Sequence, residues 1–298
     1  MNHFTKTLLL TLIVTLGIPS AFADTPTDKD QLKISAIESL MATSSEKALP
    51  ILSRVMTSDN SDVVKSRALF VIGQFDVPES RAILLDLARG TNANLQASAI
   101  RTIGINGNAD ALAQLDDIFK NGDNTVKQHI LQAYLIADDA EAMFKAAVAA
   151  EDSRVFDSAV QKLGAMGATQ QLKQLRERAG TSQSLIHAYA IAGDTESLLA
   201  IAKDSANPTQ QTHAIHSLGI ADDGPKTGEA LIDIYRSSQN DTVRRAVMNG
   251  LMVGDFDDHL LTLFSESTDQ KEKAELLRQL VIMDSDIAMQ AIDSALSE

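Results

Sequence analysis

Cysteine and tryptophan are absent from the 298 residues, aromatic residues make up only 4%, and there are six prolines. Without cysteine there can be no disulfide, no thiolate metal ligand and no cysteine nucleophile. Scarce aromatics set against abundant Ala and Leu argue against sheets, which favour aromatic and β-branched side chains. They argue for closely packed helices. Basic residues are also in short supply, with 26 Lys and Arg against 40 Asp and Glu and a net charge of −14. Such a balance lacks the basic footprint that nucleic-acid phosphates require. It equally disfavours an anionic lipid surface, and it serves solubility. No Gly-rich phosphate loop, His-Glu-x-x-His helix or Ser nucleophile elbow is present, so no enzyme activity is expected.

Residues 1–23 have the organisation of a secretory signal. Lys6 supplies positive charge, Leu8 to Ile18 forms an apolar run of eleven residues, and Ala21-Phe22-Ala23 offers a small-x-small cleavage pattern. That run is shorter than the roughly 20 apolar residues that span a bilayer. The expectation is a soluble, exported product, residues 24–298, in a bacterial periplasm. Losing Lys6 leaves 25 basic against 40 acidic residues, a charge of −15.

The rest of the chain repeats one phrase. With Val243 as position zero, the same register falls on Leu32, Val64, Leu95, Val126, Val155, Thr181, Gln210 and Glu272, a mean spacing of 30 residues with a range of 26 to 33. A period of this size marks stacked helical hairpins. Position five reads Ile37, Leu69, Ile100, Leu131, Val160, Ile186, Ile215, Met248 and Leu277. Position eight reads Leu40, Ile72, Ile103, Tyr134, Leu163, Tyr189, Leu218, Leu251 and Leu280. Position four is most often Ala, as at Ala36, Ala68, Ala99, Ala159 and Ala214. At about 100° per residue, positions zero, four, five and eight cover one arc of roughly 140°, a single buried stripe. Ala in its middle lets neighbouring helices approach.

Each phrase ends at position twelve, on Asp76, Gly107, Asp138, Gly167, Gly193, Asp222, Asp255 or Asp284. Gly tolerates a left-handed exit from a helix, and Asp is expected to cap the helix that follows. Pro78 after Asp76 and Pro208 after Asn207 read as first-turn prolines. A second amphipathic run follows each turn, as in DALAQLDDIFK, 110–120, so every repeat is helix, turn, helix. The unit around 168–193 is short, and a local bend is expected there. Terminal helices at about 28–42 and 285–297 close the array.

Asp62-Val64-Lys65-Ala68-Gly73, Asp123-Val126-Lys127 and Asp241-Val243-Arg244-Leu251 carry a motif that resembles the HEAT repeat, in the short form of phycocyanobilin-lyase-like HEAT proteins. The resemblance covers essentially the whole mature chain. It implies an all-α fold, a right-handed α-solenoid of about nine stacked helical hairpins. It also implies a polar ladder between neighbouring repeats, carried here by Asp62, Lys65, Asp123, Lys127, Asp241 and Arg244. Phe156, Ser182 and Gln211 break the basic column, which puts the ladder in doubt over 155–220. HEAT-like hydroxylases carry repeated His-Glu pairs, and no His here is followed by Glu.

Positions two, three and six of the second helix lie opposite the buried arc, on the surface that the resemblance makes concave. Candidate partner-binding residues there are Arg67, Phe70, Arg101, His129, His187, His213, His216, Arg245, Asn249 and Arg278. His213 and His216 are three apart, so their Cβ atoms sit about 5–6 Å from each other. With His187 one helix away they could contact a partner, ligate a metal or simply be solvated. Phe70 is either a binding anchor or packed under a neighbouring side chain. The leading expectation is a non-catalytic periplasmic scaffold that holds another protein, with no cofactor or metal. A metal-binding enzyme or accessory centred on His187, His213 and His216 is one alternative. A structural spacer or envelope-stress component is the other.

Overall fold

A computed structural model of the protein describes residues 27–221, 224–283 and 286–297. The expected signal at 1–23, and Asp222 and Asp284 of column twelve, lie outside the described residues. The described secondary structure is all α. In chain order the helices are α1 Asp28–Ser39, α2 Ser45–Thr57, α3 Asp62–Gly73, α4 Pro78–Ala88, α5 Ala93–Asn106, α6 Ala109–Asn121, α7 Asn124–Ile136, α8 Ala140–Ala149 and α9 Ser153–Ala165. They continue as α10 Thr169–Ala179, α11 Gln183–Ile191, α12 Thr195–Ala202, α13 Pro208–Ala221, α14 Pro225–Ser237, α15 Asp241–Val253, α16 Asp257–Glu266, α17 Gln270–Ile282 and α18 Asp286–Ser297. A short 3-10 turn, Leu40–Ala42, extends α1. The odd-numbered helices carry the repeated phrase and are called B helices; the even-numbered ones are A helices. The chain forms two compact units, which part within α5 after Thr102.

Short polar side chains start these helices. Asn108, Asp123, Asp139, Ser182 and Asp194 each accept the backbone N–H three residues on. Each bond satisfies one amide that a helix start would otherwise leave without a partner. Column twelve does not supply the caps. Asp138 and Asp255 take left-handed φ values of 56° and 58°, as Gly107, Gly167 and Gly193 do in the same column. Position thirteen caps instead, at Asn108, Asp139 and Asp194. Asp138 N–H donates to Leu135 O and Asp139 N–H to Tyr134 O, the paired bonds of a Schellman turn. Asp is among the few side chains that adopt this backbone region at modest cost. Asp76 is no cap either: it accepts from Arg81 at 2.7 Å, while Val77 precedes Pro78 at the start of α4.

In the first unit the core is built from Val64, Ala68, Leu69 and Ile72 of α3, all with no exposed surface, against Leu52 of α2 and Leu84 of α4. Ile100 of α5 is equally buried. Leu32 departs from its column at 75% exposed, because no described helix precedes α1 to cover it. In the second unit columns five and eight are buried from Leu131 through Leu251. A helices complete the layer with Leu115, Leu172, Leu198, Leu231 and Leu260. Fully burying such a side chain stabilises by roughly 1.5–3 kcal/mol, and no hairpin has enough facing surface to do so alone. Tyr134 and Tyr189 occupy column eight with their rings buried and their hydroxyls reaching back to the A layer. Tyr134 Oη donates to Asp116 at 2.7 Å, and Tyr189 Oη to the Leu172 carbonyl at 3.1 Å.

Neighbouring B helices meet through columns nine and seven, more closely than Ala at position four required. A Cβ on Gly104 would lie 2.7 Å from Ala133 Cα, and one on Gly164 would lie 2.8 Å from Ala188 O. Gly219 faces Gly250 in the same way. In these three pairs Gly in column nine of one repeat is answered by Ala or Gly in column seven of the next.

Candidate functional site

The basic residues of position one work mainly inside their own hairpin. Lys127 Nζ lies 5.7 Å from the centre of the Phe119 ring of α6, Arg244 Cζ 4.3 Å from Tyr235 of α14, and Lys273 Nζ 5.3 Å from Phe264 of α16. Each cation strap ties a B helix to the A helix before it. Where the column holds Gln the link is a hydrogen bond: Gln96 donates to the Ala88 carbonyl at 3.0 Å and Gln211 to the Ala202 carbonyl at 2.8 Å. These carbonyls end α4 and α12, where helices lack acceptor partners of their own.

The proposed ladder residues therefore divide. Asp62 accepts from Asn94 of the next repeat at 2.8 Å. Asp123 caps its own helix by accepting from Val126 N–H at 2.9 Å. Asp241 is exposed in the first turn of α15, where Asn240 is the cap. Lys65 is half-buried and its side chain forms no hydrogen bond or ion pair within the described residues, and Lys127 lies over Phe119 of its own hairpin. Arg244 reaches the next repeat, but its partner is Glu272 and not an Asp. Other side chains also bridge B helices. Arg154 and Asn124 both donate to Asp152, and Ser158 donates to Gln128 at 2.7 Å while accepting from Lys162 at 3.1 Å. The Arg154 guanidinium is the first cause that holds Asp152 down to about pKa 2. Burial holds the Lys162 ammonium below the ordinary lysine range.

The tightest polar cluster lies between α14, α15 and α17. Tyr235 Oη and the Arg244 guanidinium both donate to Glu272, which also accepts from Ser267 Oγ. Burial, then the bond to Glu272, pushes the Tyr235 phenol well above its ordinary range. Glu272 stands in column zero, where an aliphatic residue is usual, and this cluster is the reason a carboxylate is tolerated. Gln210, another exception in that column, donates to the Thr181 carbonyl at 2.7 Å.

The candidate binding residues fall into engaged and unengaged groups. In the first unit the Arg67 guanidinium donates to Glu38 at 2.7 Å and sits 5.0 Å from the Phe70 ring centre. Phe70 is thus half-covered by its own helix neighbour. Arg101 is exposed. In the second unit Arg245 lies 3.9 Å from Glu275, and Asn249 accepts from Gln279 at 3.3 Å. His129, His187, His216 and Arg278 are exposed, and His213 is half-buried. Among the described residues no three His, Asp or Glu side chains gather where they could hold a metal ion, so His187, His213 and His216 do not form a ligand set.

Position ten went unnoticed in the sequence. It continues the same face one turn beyond position six, and it carries aliphatic residues that the fold leaves exposed. The signal for it in the sequence is the thirty-residue period itself, which returns Ile, Val or Ala to this exposed column from Ile105 to Ile282.

The class that these observations define is an all-α protein of stacked helical hairpins. Residues 57–136 match the HEAT repeats family, and the hairpin plan continues on both sides of that stretch. No curated protein matches the chain. No described helix is long and apolar enough to cross a membrane.

Proposed function

We propose that the chain is a non-catalytic scaffold whose second unit holds another protein on the face formed by its B helices. HEAT repeats commonly serve as protein-interaction scaffolds. The observation that carries the reading is the unengaged state of that face. His129, Gln132, Gln161, His187, His216 and Arg278 are exposed, recur at repeat spacing, and form no hydrogen bond or ion pair within the described residues. Among the helices, the A set carries sixteen carboxylates, Asp116, Asp117, Glu141, Glu196 and Asp233 among them, and the B set eight. We also propose export to the periplasm, on the strength of Lys6, the apolar run from Leu8 and the Ala21-Phe22-Ala23 sequence.

The test is a photo-crosslinking amino acid placed at His187 or Arg278, with Glu196 and Asp233 on A helices as controls. Adducts at the first pair and not at the second are expected in the native compartment. Equal labelling at all four positions, or none, would refute the scaffold reading. Cell fractionation with N-terminal sequencing of the mature protein checks export, with residue 24 the expected first residue.

A further inference from the structure

Most large apolar side chains are buried in the repeat stack, yet six of those left exposed in the second unit share one column. Ile105, Ile136, Ile191, Ile220, Val253 and Ile282 all occupy position ten and are 40% to 68% exposed. Ala165 is the exposed member of the remaining repeat. Scattered exposed aliphatics are normal on protein surfaces, but a contiguous row marks an interaction site. Position ten follows position six by four residues, so the two share a face with Cβ atoms about 5–6 Å apart. Each exposed aliphatic is therefore paired with a position-six side chain one turn earlier. These are Gln132 with Ile136, Gln161 with Ala165, His187 with Ile191, His216 with Ile220 and Asn249 with Val253, while at the two ends of the row Ile105 follows Arg101 and Ile282 follows Arg278. The five central members of the second row carry no charge although the chain is at −14, and apart from Asn249 they make no polar contact within the described residues.

The result is a double track across the B helices, one rail mainly of branched aliphatics and one of amides and imidazoles with an arginine at either end. Packed helix axes lie about 8–10 Å apart, and the Gly contacts of columns nine and seven favour the low end. A polyproline-II segment has three residues per turn at about 3.1 Å each, so it presents a side chain to one side every ~9 Å. In a β-strand, residues on one face recur about every 6.6 Å, which is too short. An α-helix satisfies its own peptide groups, so it would offer the Gln, His and Asn rail side chains alone. We propose that this track docks an extended, locally uncharged segment of another protein, in polyproline-II conformation, with an apolar side chain at every third position. Those side chains pack on column ten, and the fully solvated peptide groups between them bond to column six. The proposal rests on the scaffold reading and names the kind of partner that reading leaves open.

A displayed library of random 12-residue peptides, selected on the purified protein, tests it. The expected result is enrichment of sequences with apolar residues three apart and no charge between them. The double variant Ile191→Asp, Ile220→Asp should weaken the enriched peptides about 30-fold, and Ile191→Gln, Ile220→Gln somewhat less. Gln132→Ala with Gln161→Ala, which leaves column ten intact, should cost about 10-fold. Circular dichroism verifies that each variant is folded, as expected for changes at exposed positions. Enrichment of heptad-patterned helical peptides, or affinities unmoved by the column-ten variants, would overturn the proposal. So would a self-associated wild type that Ile191→Asp converts to monomer, because the row would then be a contact between copies. If His187 crosslinks persist at full yield in the Ile191→Asp, Ile220→Asp variant, the track fails while the scaffold survives. If His187 gives no adduct even in the wild type, both fail.

Discussion

Substituting Gly219 by Ala sets two familiar effects against each other. Ala is a better helix former than Gly by about 1 kcal/mol, and Gly219 lies inside α13, so propensity alone predicts stabilisation. The packing predicts the reverse. A Cβ at 219 would lie 2.4 Å from the Gly250 carbonyl oxygen and 3.1 Å from the Gly250 Cα and carbonyl carbon. Comfortable contact between such atoms begins near 3.5 Å. Every atom in the way is backbone, so no rotamer change relieves the clash, and α13 and α15 must separate by about 1 Å. Separation loosens the packing between α13 and α15, in which Ile215, Leu218, Val247 and Leu251 are all fully buried. Overpacking of this kind costs roughly 1–3 kcal/mol. Gly219→Ala should therefore lower stability by about 1–2 kcal/mol net of propensity. Gly250→Ala is the companion, since its Cβ would meet Ile215 O at 3.1 Å and Ile215 Cγ2 at 3.3 Å, contacts that a small shift relieves. It should stay within about 0.5 kcal/mol of wild type. Urea unfolding followed by circular dichroism measures both. If Gly219→Ala proved as stable as Gly250→Ala or the wild type, the close approach of the B helices would be wrong.

The other predictions concern protons and one buried-edge cluster. All three tyrosines are shifted upward, chiefly by burial, with Tyr189 at about 12 and Tyr134 and Tyr235 well above the ordinary range. Raised folded-state values mean that their stabilising share is complete below about pH 10 and lost as the pH climbs through the folded values. Absorbance at 295 nm should show no tyrosine ionising at pH 10 in the folded protein; one that did so with the helical signal intact would contradict the packing. Asp152 has the opposite sign: its value of about 2 lies below that of an unfolded Asp, so its contribution is present above about pH 4 and fades between about pH 4 and 2. Asp152→Asn should flatten the acid limb of a stability-versus-pH curve, and an unchanged limb would remove Asp152 from the account. Glu272→Ala leaves the Tyr235 hydroxyl and the half-buried Arg244 without their shared acceptor, and should cost about 1–2 kcal/mol in denaturant unfolding. A change below about 0.3 kcal/mol would mean that solvent replaces the carboxylate freely.

Much of this architecture could be read before any coordinates. Columns five and eight identified Ile100, Leu131, Val160 and Ile186 as core, and all four have at most 1% of their surface exposed. Helix phase, hairpin period and the short repeat around 168–193 were equally legible, because amphipathicity belongs to a single helix and recurs wherever the helix does. Polar partnerships were not. Lys127 looked like a rung between repeats and lies on Phe119 of its own hairpin. Asp138 looked like a cap and turned out to make the left-handed turn before one. Phe70 had two readings until Arg67 was seen beside it, held by Glu38.

The amino-acid pattern, taken alone, was enough to settle which stripe of each helix avoids water, since that choice depends on residues a turn apart. Tertiary packing settled which polar side chains meet, how near the B helices come at Gly104, Gly164 and Gly219, and that the aliphatics of column ten stay in solvent. Those outcomes depend on the rotation and offset between neighbouring helices. Both are set only when small residues in one repeat find small residues in the next.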